Sequence, residues 1–142
     1  MTDGGHWLGC HLIELDECGS TNDEAARLAR AGAPEGTVVL AAEQERGRGR
    51  LGHSWYSPPG ENLYLSLLLR PPLSPSRAPL LTLLCGVALC EVVADEVGDR
   101  GAAELKWPND LLLSCGGGPP RKVAGVLTEM VTSGPRLDFV IV

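Results

Sequence analysis

Apolar and polar residues alternate through His11 to Leu15 (HLIEL) well enough for a short strand. Ser20-Thr21-Asn22-Asp23-Glu24 follows as a helix start, with Thr21 and Glu24 at capping-box spacing. Ala25, Leu28 and Ala29 then share one side of that helix, and Gly32, Pro34 and Gly36 mark its exit. Thr37 to Glu43 (TVVLAAE) is β-rich at its start and leads into a glycine-rich polar segment. Beyond that segment, Trp55 to Ser57 extends as a strand and SPPGEN, Ser57 to Asn62, turns the chain. Leu63 to Arg70 (LYLSLLLR) resumes a strong strand, with Leu63, Leu65, Leu67 and Leu69 on one face.

Pro71, Pro72 and Pro75 separate this hairpin from a long helix between about Ser76 and Val97. Leu80, Leu83, Leu84, Val87, Ala88, Glu91 and Val92 stand at near-helical spacing there, so the helix is expected to be mostly core. Glu104 to Trp107 and Asp110 to Leu113 read as short strands about a Pro108-Asn109 turn, and Ser114 to Arg121 (SCGGGPPR) carries no ordering signal. Lys122 to Val131 reads as one long strand, joined by Ser133-Gly134-Pro135 to a last one, Leu137 to Val142. The order β-α-β-β-β-α-β-β-β-β has too many adjacent strands for a doubly wound parallel sheet. It predicts an α+β fold with a mixed, largely antiparallel sheet and helices packed on it. The apolar ending LDFVIV leaves a strand in need of a neighbour, so the domain is expected to be incomplete at its C-terminus.

Composition narrows the class. A chain of 142 residues, 44% of them hydrophobic, is sized for one folded domain. The net charge of -6 argues against general affinity for nucleic acid, which requires a basic face. Five cysteines (Cys10, Cys18, Cys85, Cys90, Cys115) without a CxxC indicate neither a disulfide framework nor a zinc site, and a reducing cytoplasm fits them. The N-terminus lacks the basic flank and apolar stretch of a signal peptide, and the uncharged run Ala78 to Cys90 is too short to span a bilayer, so no membrane partner is expected.

Against this acidic background, Gln44 to Trp55 reads QERGRGRLGHSW, arginines interleaved with glycines. Glycine permits close backbone approach to a ligand, and arginine offers planar bidentate donors to phosphate or carboxylate. That is the composition of an anion-binding loop, although it has neither a Walker ending nor a dinucleotide fingerprint.

Five segments in order resemble the biotin protein ligases, also called holocarboxylase synthetases: GSTNDEA (Gly19 to Ala25), GRGRLGHSW (Gly47 to Trp55), SPPGENLYLSLLLRP (Ser57 to Pro71), KWPNDLLL (Lys106 to Leu113) and KVAGVLTE (Lys122 to Glu129). The resemblance implies a catalytic domain with the fold of class II aminoacyl-tRNA synthetases, of which residues 1–142 are the first part. It also implies joining of biotin to ATP as biotinyl-5'-adenylate, with Mg²⁺ assisting, then transfer to a lysine of a biotin carboxyl carrier protein. The alternatives are a truncated, non-catalytic biotin-binding fragment and a lipoate ligase-like enzyme; KWPND and GRGRLG point to biotin. A homodimer is left open.

Carried over by resemblance, Ser20, Thr21 and Asn22 match the STN that lies against biotin, and Gln44 matches a glutamine that contacts it. Arg48 and Arg50 match the arginines of the loop that closes over biotin and adenylate. Lys122 matches the lysine beside the biotin carboxylate and α-phosphate and is, with Arg50, the catalytic candidate. Trp55 is expected to stack on the adenine, and Asn109 and Asp110 to orient substrate or metal-bound water. No metal ligand is assigned. The chain departs from the pattern at His53, where the family usually has arginine or lysine, and in the longer segment between Asp110 and Lys122. The motifs begin about twenty residues in, so a winged-helix DNA-binding repressor domain is not expected.

Overall fold

A computed structural model describes residues 7–142 and divides into two compact units, Met1–Pro75 with Glu129–Val142, and Ser76–Thr128. In the first, strands β1 (His11–Leu15), β2 (Thr37–Ala41), β3 (Tyr64–Leu69), β7 (Glu129–Ser133) and β8 (Arg136–Ile141) form one sheet in the order β1-β2-β3-β8-β7. Only β1 and β2 run parallel, as expected for strands joined through helix α1 (Thr21–Arg30); every other pairing is antiparallel. The helix lays Ala25 and Ala29 against Val39, Leu68, Phe139 and Ile141, all buried. Two alanines on the packing stripe let the helix sit close to the sheet, so the core is small and dense. Arg70 closes the far end of α1, donating to the carbonyls of Ala29 (2.9 Å) and Ala33 (3.2 Å), with its guanidinium 5.6 Å from the Phe139 ring centre. A cation there satisfies orphan helix carbonyls and complements the helix dipole.

The leucines of β3 do share a face, but it is not the one under the helix. Tyr64, Ser66 and Leu68 are buried, whereas Leu65 is 50% exposed and Leu63, just before the strand, 77%. Trp55 to Ser57 forms no strand; Trp55 pairs its N–H with the Gly47 carbonyl inside the arginine-rich segment.

The second unit holds helix α2 (Pro79–Val97) and an antiparallel sheet β4-β5-β6, with β4 at Gly101–Lys106, β5 at Asp110–Cys115 and β6 at Arg121–Gly125. Two sheets therefore stand where one was expected. The predicted long strand from Lys122 to Val131 is two, β6 in the second sheet and β7 in the first, because residues 126–128 carry the chain from one to the other. SCGGGPPR is an ordered turn between β5 and β6, with Gly116 and Gly117 at φ 58° and 76° supplying the left-handed backbone. Helix α2 is not mostly core: Leu81 and Gly86 are buried, whereas Leu80, Leu84, Val87 and Val92 are exposed. It is apolar all round, so periodicity selects no single face, and a three-stranded sheet covers only one stripe.

Candidate functional site

The N-terminal end of α1 carries a run of buried polar residues, Ser20, Thr21 and Asn22, facing the equally buried Ser66 of β3. Ser20 is the N-cap by backbone position but makes no side-chain cap bond, and no capping box joins Thr21 to Glu24, which pairs with Arg27 instead. The reason lies across the sheet. The Thr21 N–H and hydroxyl both donate to Gln44 Oε1 (2.9 and 3.1 Å), and Thr21 Oγ1 lies 2.8 Å from Ser66 Oγ. Ser66 in turn donates to Asn22 Oδ1, and Asn22 Nδ2 donates to Glu129 Oε2 at 2.6 Å. The carboxylate fixes the amide orientation, since it only accepts, so Asn22 must present its NH₂ to Glu129 and its oxygen to Ser66.

The arginine-rich segment is a tied hairpin. Gly47 O accepts from Trp55 N (2.8 Å), Gly49 N donates to His53 O (2.7 Å), and Leu51 and Gly52 form the tip at positive φ. A Cβ on Gly47 would lie 2.5 Å from Trp55 O and 2.6 Å from Ser57 Oγ, so only glycine fits there. Gln44 Nε2 donates to Ser57 Oγ (3.0 Å), which locks the glutamine between hairpin and helix. Arg48 forks onto Asp23 through both terminal nitrogens (2.7 and 2.9 Å) and reaches Glu129 at 2.9 Å. The bond to Arg48 holds the Asp23 carboxyl below its ordinary range, and the bond to Asp23, followed by that to Glu129, raises the already high pKa of Arg48. Arg50 sits at the exposed start of the hairpin tip and Trp55 is half-buried at its base. Burial first, then the carboxylates around it, push the thiol of nearby Cys18 up.

In the second unit, Lys122 Nζ pairs with Asp110 Oδ1 at 2.7 Å. A β-bulge at Val123 makes this possible. Asp110 opposes Gly125 and Leu111 opposes Ala124, but Leu112 opposes Lys122, so β6 carries one extra residue. With the same residues in an unbroken ladder, Lys122 would oppose Leu113 and point to the other face, away from Asp110. Asn109 anchors the start of β5, exchanging bonds with both backbone groups of Val126 (3.2 and 2.9 Å). The structure thus gathers Ser20, Thr21, Asn22, Gln44, Arg48, Arg50 and Trp55 in one unit and Asn109, Asp110 and Lys122 in the other. Sequence reasoning missed Asp23, Ser66 and Glu129 as network members. Ser66 had a signal, a polar residue at an alternating position in an otherwise leucine-rich strand; the other two had none.

These two polar centres stand on an α+β frame. Residues 18–142 match the profile of the biotin/lipoate A/B protein ligase family, and the chain belongs to that family. It is 39% identical over 135 residues to the bifunctional ligase/repressor of Bacillus subtilis, covering 95% of this chain and 39% of the relative. It is 41% identical over 123 residues to the biotin acetyl-CoA-carboxylase ligase of Paracoccus denitrificans, covering 87% and 48%. Among solved structures, the Aquifex aeolicus biotin protein ligase in complex with biotin and ATP superposes with TM-score 0.68 at 35% identity, over 93% of this chain and 51% of that one. The Leishmania major enzyme in complex with biotinyl-5-AMP gives TM-score 0.70 at 30% identity, over 93% and 55%. The fold is the class II aminoacyl-tRNA synthetase-like fold of these ligases. The chain spans about half the length of the relatives it matches, or less.

Proposed function

We propose that this chain forms part of the catalytic domain of a biotin ligase, which activates biotin with ATP and passes it to a lysine of a biotin carboxyl carrier protein in the cytoplasm. The observation that carries this reading is the buried polar run at the N-terminal end of α1. Buried hydroxyls and amides cost stability unless they are paired, and here they replace the apolar packing a helix start would otherwise offer. A cyclic urea such as that of biotin presents one acceptor oxygen and two N–H donors, which suits Ser20, Thr21, Asn22 and Gln44.

In adenylation a biotin carboxylate oxygen bonds to the α-phosphorus of ATP while the bond to pyrophosphate breaks. Two anions meet, so fixed positive charge where the transition state develops negative charge is the main requirement. Lys122 supplies it, held in place by Asp110 until substrate arrives, and Arg50 supplies it from the hairpin tip. The hairpin that carries Arg48 and Arg50 closes over biotin and adenylate, and Trp55 and Asn109 bind the nucleotide. In the second step a carrier lysine amine attacks the carbonyl of the mixed anhydride and AMP leaves with the bonding pair. Magnesium fits as an ion brought in on the phosphates of ATP, a mode that needs one or two protein carboxylates, and Asp110 is the candidate; the ion would neutralise phosphate charge.

The test is biotin-dependent exchange of radiolabelled pyrophosphate into ATP. It uses a chimera in which this chain replaces the matching segment of the Paracoccus denitrificans ligase. Exchange that requires biotin supports the reading. A folded chimera with exchange driven by lipoate, or by neither acid, would overturn it.

A further inference from the structure

Arg48 is enclosed by protein carboxylates. Both terminal nitrogens lie on Asp23, one of them is shared with Glu129, and Glu129 is itself held by Asn22. These bonds and the Thr21–Gln44 bonds join the two ends of one hairpin to the first turn of α1. Gln44 at the hairpin base, Thr21, Ser66, Asn22, Glu129 and Arg48 on the rising strand make a chain of side-chain contacts, closed by the backbone between Gln44 and Arg48.

We infer that Asp23 and Glu129 form a carboxylate latch that holds the arginine-glycine hairpin against α1, and that the Arg48 guanidinium is a positioning group rather than a ligand contact. The inference deepens the biotin-ligase reading and rests on it for the identity of the ligand. Its physical basis is independent. A guanidinium already forked onto one carboxylate and bonded to a second has its charge neutralised twice over, so an incoming phosphate would have to displace both. The fork is planar and bidentate, which lysine cannot reproduce.

The two roles give opposite signs in one experiment. If Arg48 contacts the ligand anion, removing its competing carboxylates frees it and ligand binding tightens. If the carboxylates are a latch, removing them loosens the hairpin and binding weakens. Asp23→Asn, Glu129→Gln and the double variant keep side-chain shape, and half-exposed Asp23 tolerates the change without loss of fold.

Trypsin cleavage within Arg46 to Arg50 of the ligand-free chain should rise about tenfold in the double variant, since cleavage follows the open population. Biotin affinity by titration calorimetry should fall about fivefold, with Arg48→Lys behaving like the carboxylate variants. Unchanged cleavage, or tighter biotin binding, would overturn the latch. A wild-type chain that binds no biotin would overturn the ligase reading instead, and the cleavage rates alone would then decide the latch.

Discussion

The two polar centres of this chain are built on different plans. In the first unit, Thr21, Asn22, Gln44, Arg48, Ser66 and Glu129 hold one another through a chain of side-chain contacts that the hairpin backbone closes into a ring. In the second, Lys122 pairs with Asp110 across a ladder that carries a β-bulge. A ring shares its load, so loss of one member is partly absorbed by its neighbours. A charge needed at a reacting atom tolerates little displacement. The first plan suits recognition of a neutral, many-pointed ligand group; the second suits delivery of charge to a reacting atom.

That contrast ranks the consequences of substitution. The largest effect is expected at Lys122. In a ligase background, Lys122→Ala should lower biotin-dependent pyrophosphate release by about 100-fold or more, the range for loss of a transition-state charge contact of about 2.7 to 4 kcal/mol. Thermal stability should stay nearly unchanged, because a half-exposed pair contributes about 0 to 1 kcal/mol. Activity close to wild type would remove Lys122 from the chemistry. Deleting Val123 should by contrast leave most of the activity, since the ladder then closes without a bulge and Lys122 still opposes Leu112 on the Asp110 face. A deletion variant as inactive as Lys122→Ala would show that the bulge itself, and not only the face Lys122 occupies, is needed.

Gly47→Ala comes next. The added methyl meets backbone and a buried hydroxyl rather than a flexible side chain, and overpacking of this kind costs about 1 to 3 kcal/mol. Urea denaturation should show that loss, and a melting curve matching wild type would mean the hairpin is looser than its hydrogen bonds indicate. Ser66→Ala is expected to cost less, about 1 kcal/mol in thermal unfolding, as Asn22 and Thr21 each lose one partner and keep another.

The smallest effect concerns pH. The carboxyl of Asp23 is lowered by Arg48, so its folded pKa lies below its unfolded one near 3.9. Its stabilising contribution is present above that unfolded value and is lost as pH falls through the folded pKa. Trypsin-independent probes of the hairpin, such as hydrogen exchange at Gly49, should therefore stay constant from neutral pH down to about 4 and loosen only below it, a window set by the aspartate reference value. Loosening well above about pH 4 would remove Asp23 from this role.

Much of the first unit was legible because its signals are local. The β1, α1, β2 and β8 elements announced themselves by alternation, by the small-residue stripe of Ala25 and Ala29, and by the glycines and prolines between them. What escaped depended on distant partners. The face of β3 under the helix is the Tyr64, Ser66, Leu68 face because Asn22 and Thr21 need Ser66, whereas the leucine count favoured the other. Gly125 is the one weak break in KVAGVLTEM, and the β-propensity on either side concealed that β6 and β7 join different sheets. The bulge at Val123 exists only relative to β5, so no reading of β6 alone reveals it. The motif residues were named through family resemblance. Asp23 and Glu129 lay within the matching segments, yet their role emerges only where Arg48 meets both.

Titration calorimetry of the purified chain with biotin, in the presence and absence of a non-hydrolysable ATP analogue, tests the central claim most directly. Saturable one-to-one binding of biotin, clearly weakened on Gln44→Ala and retained on Lys122→Ala, is the expected result, since the first unit recognises and the second reacts. Equal binding by Gln44→Ala and wild type, or no binding of biotin under either condition, would contradict it.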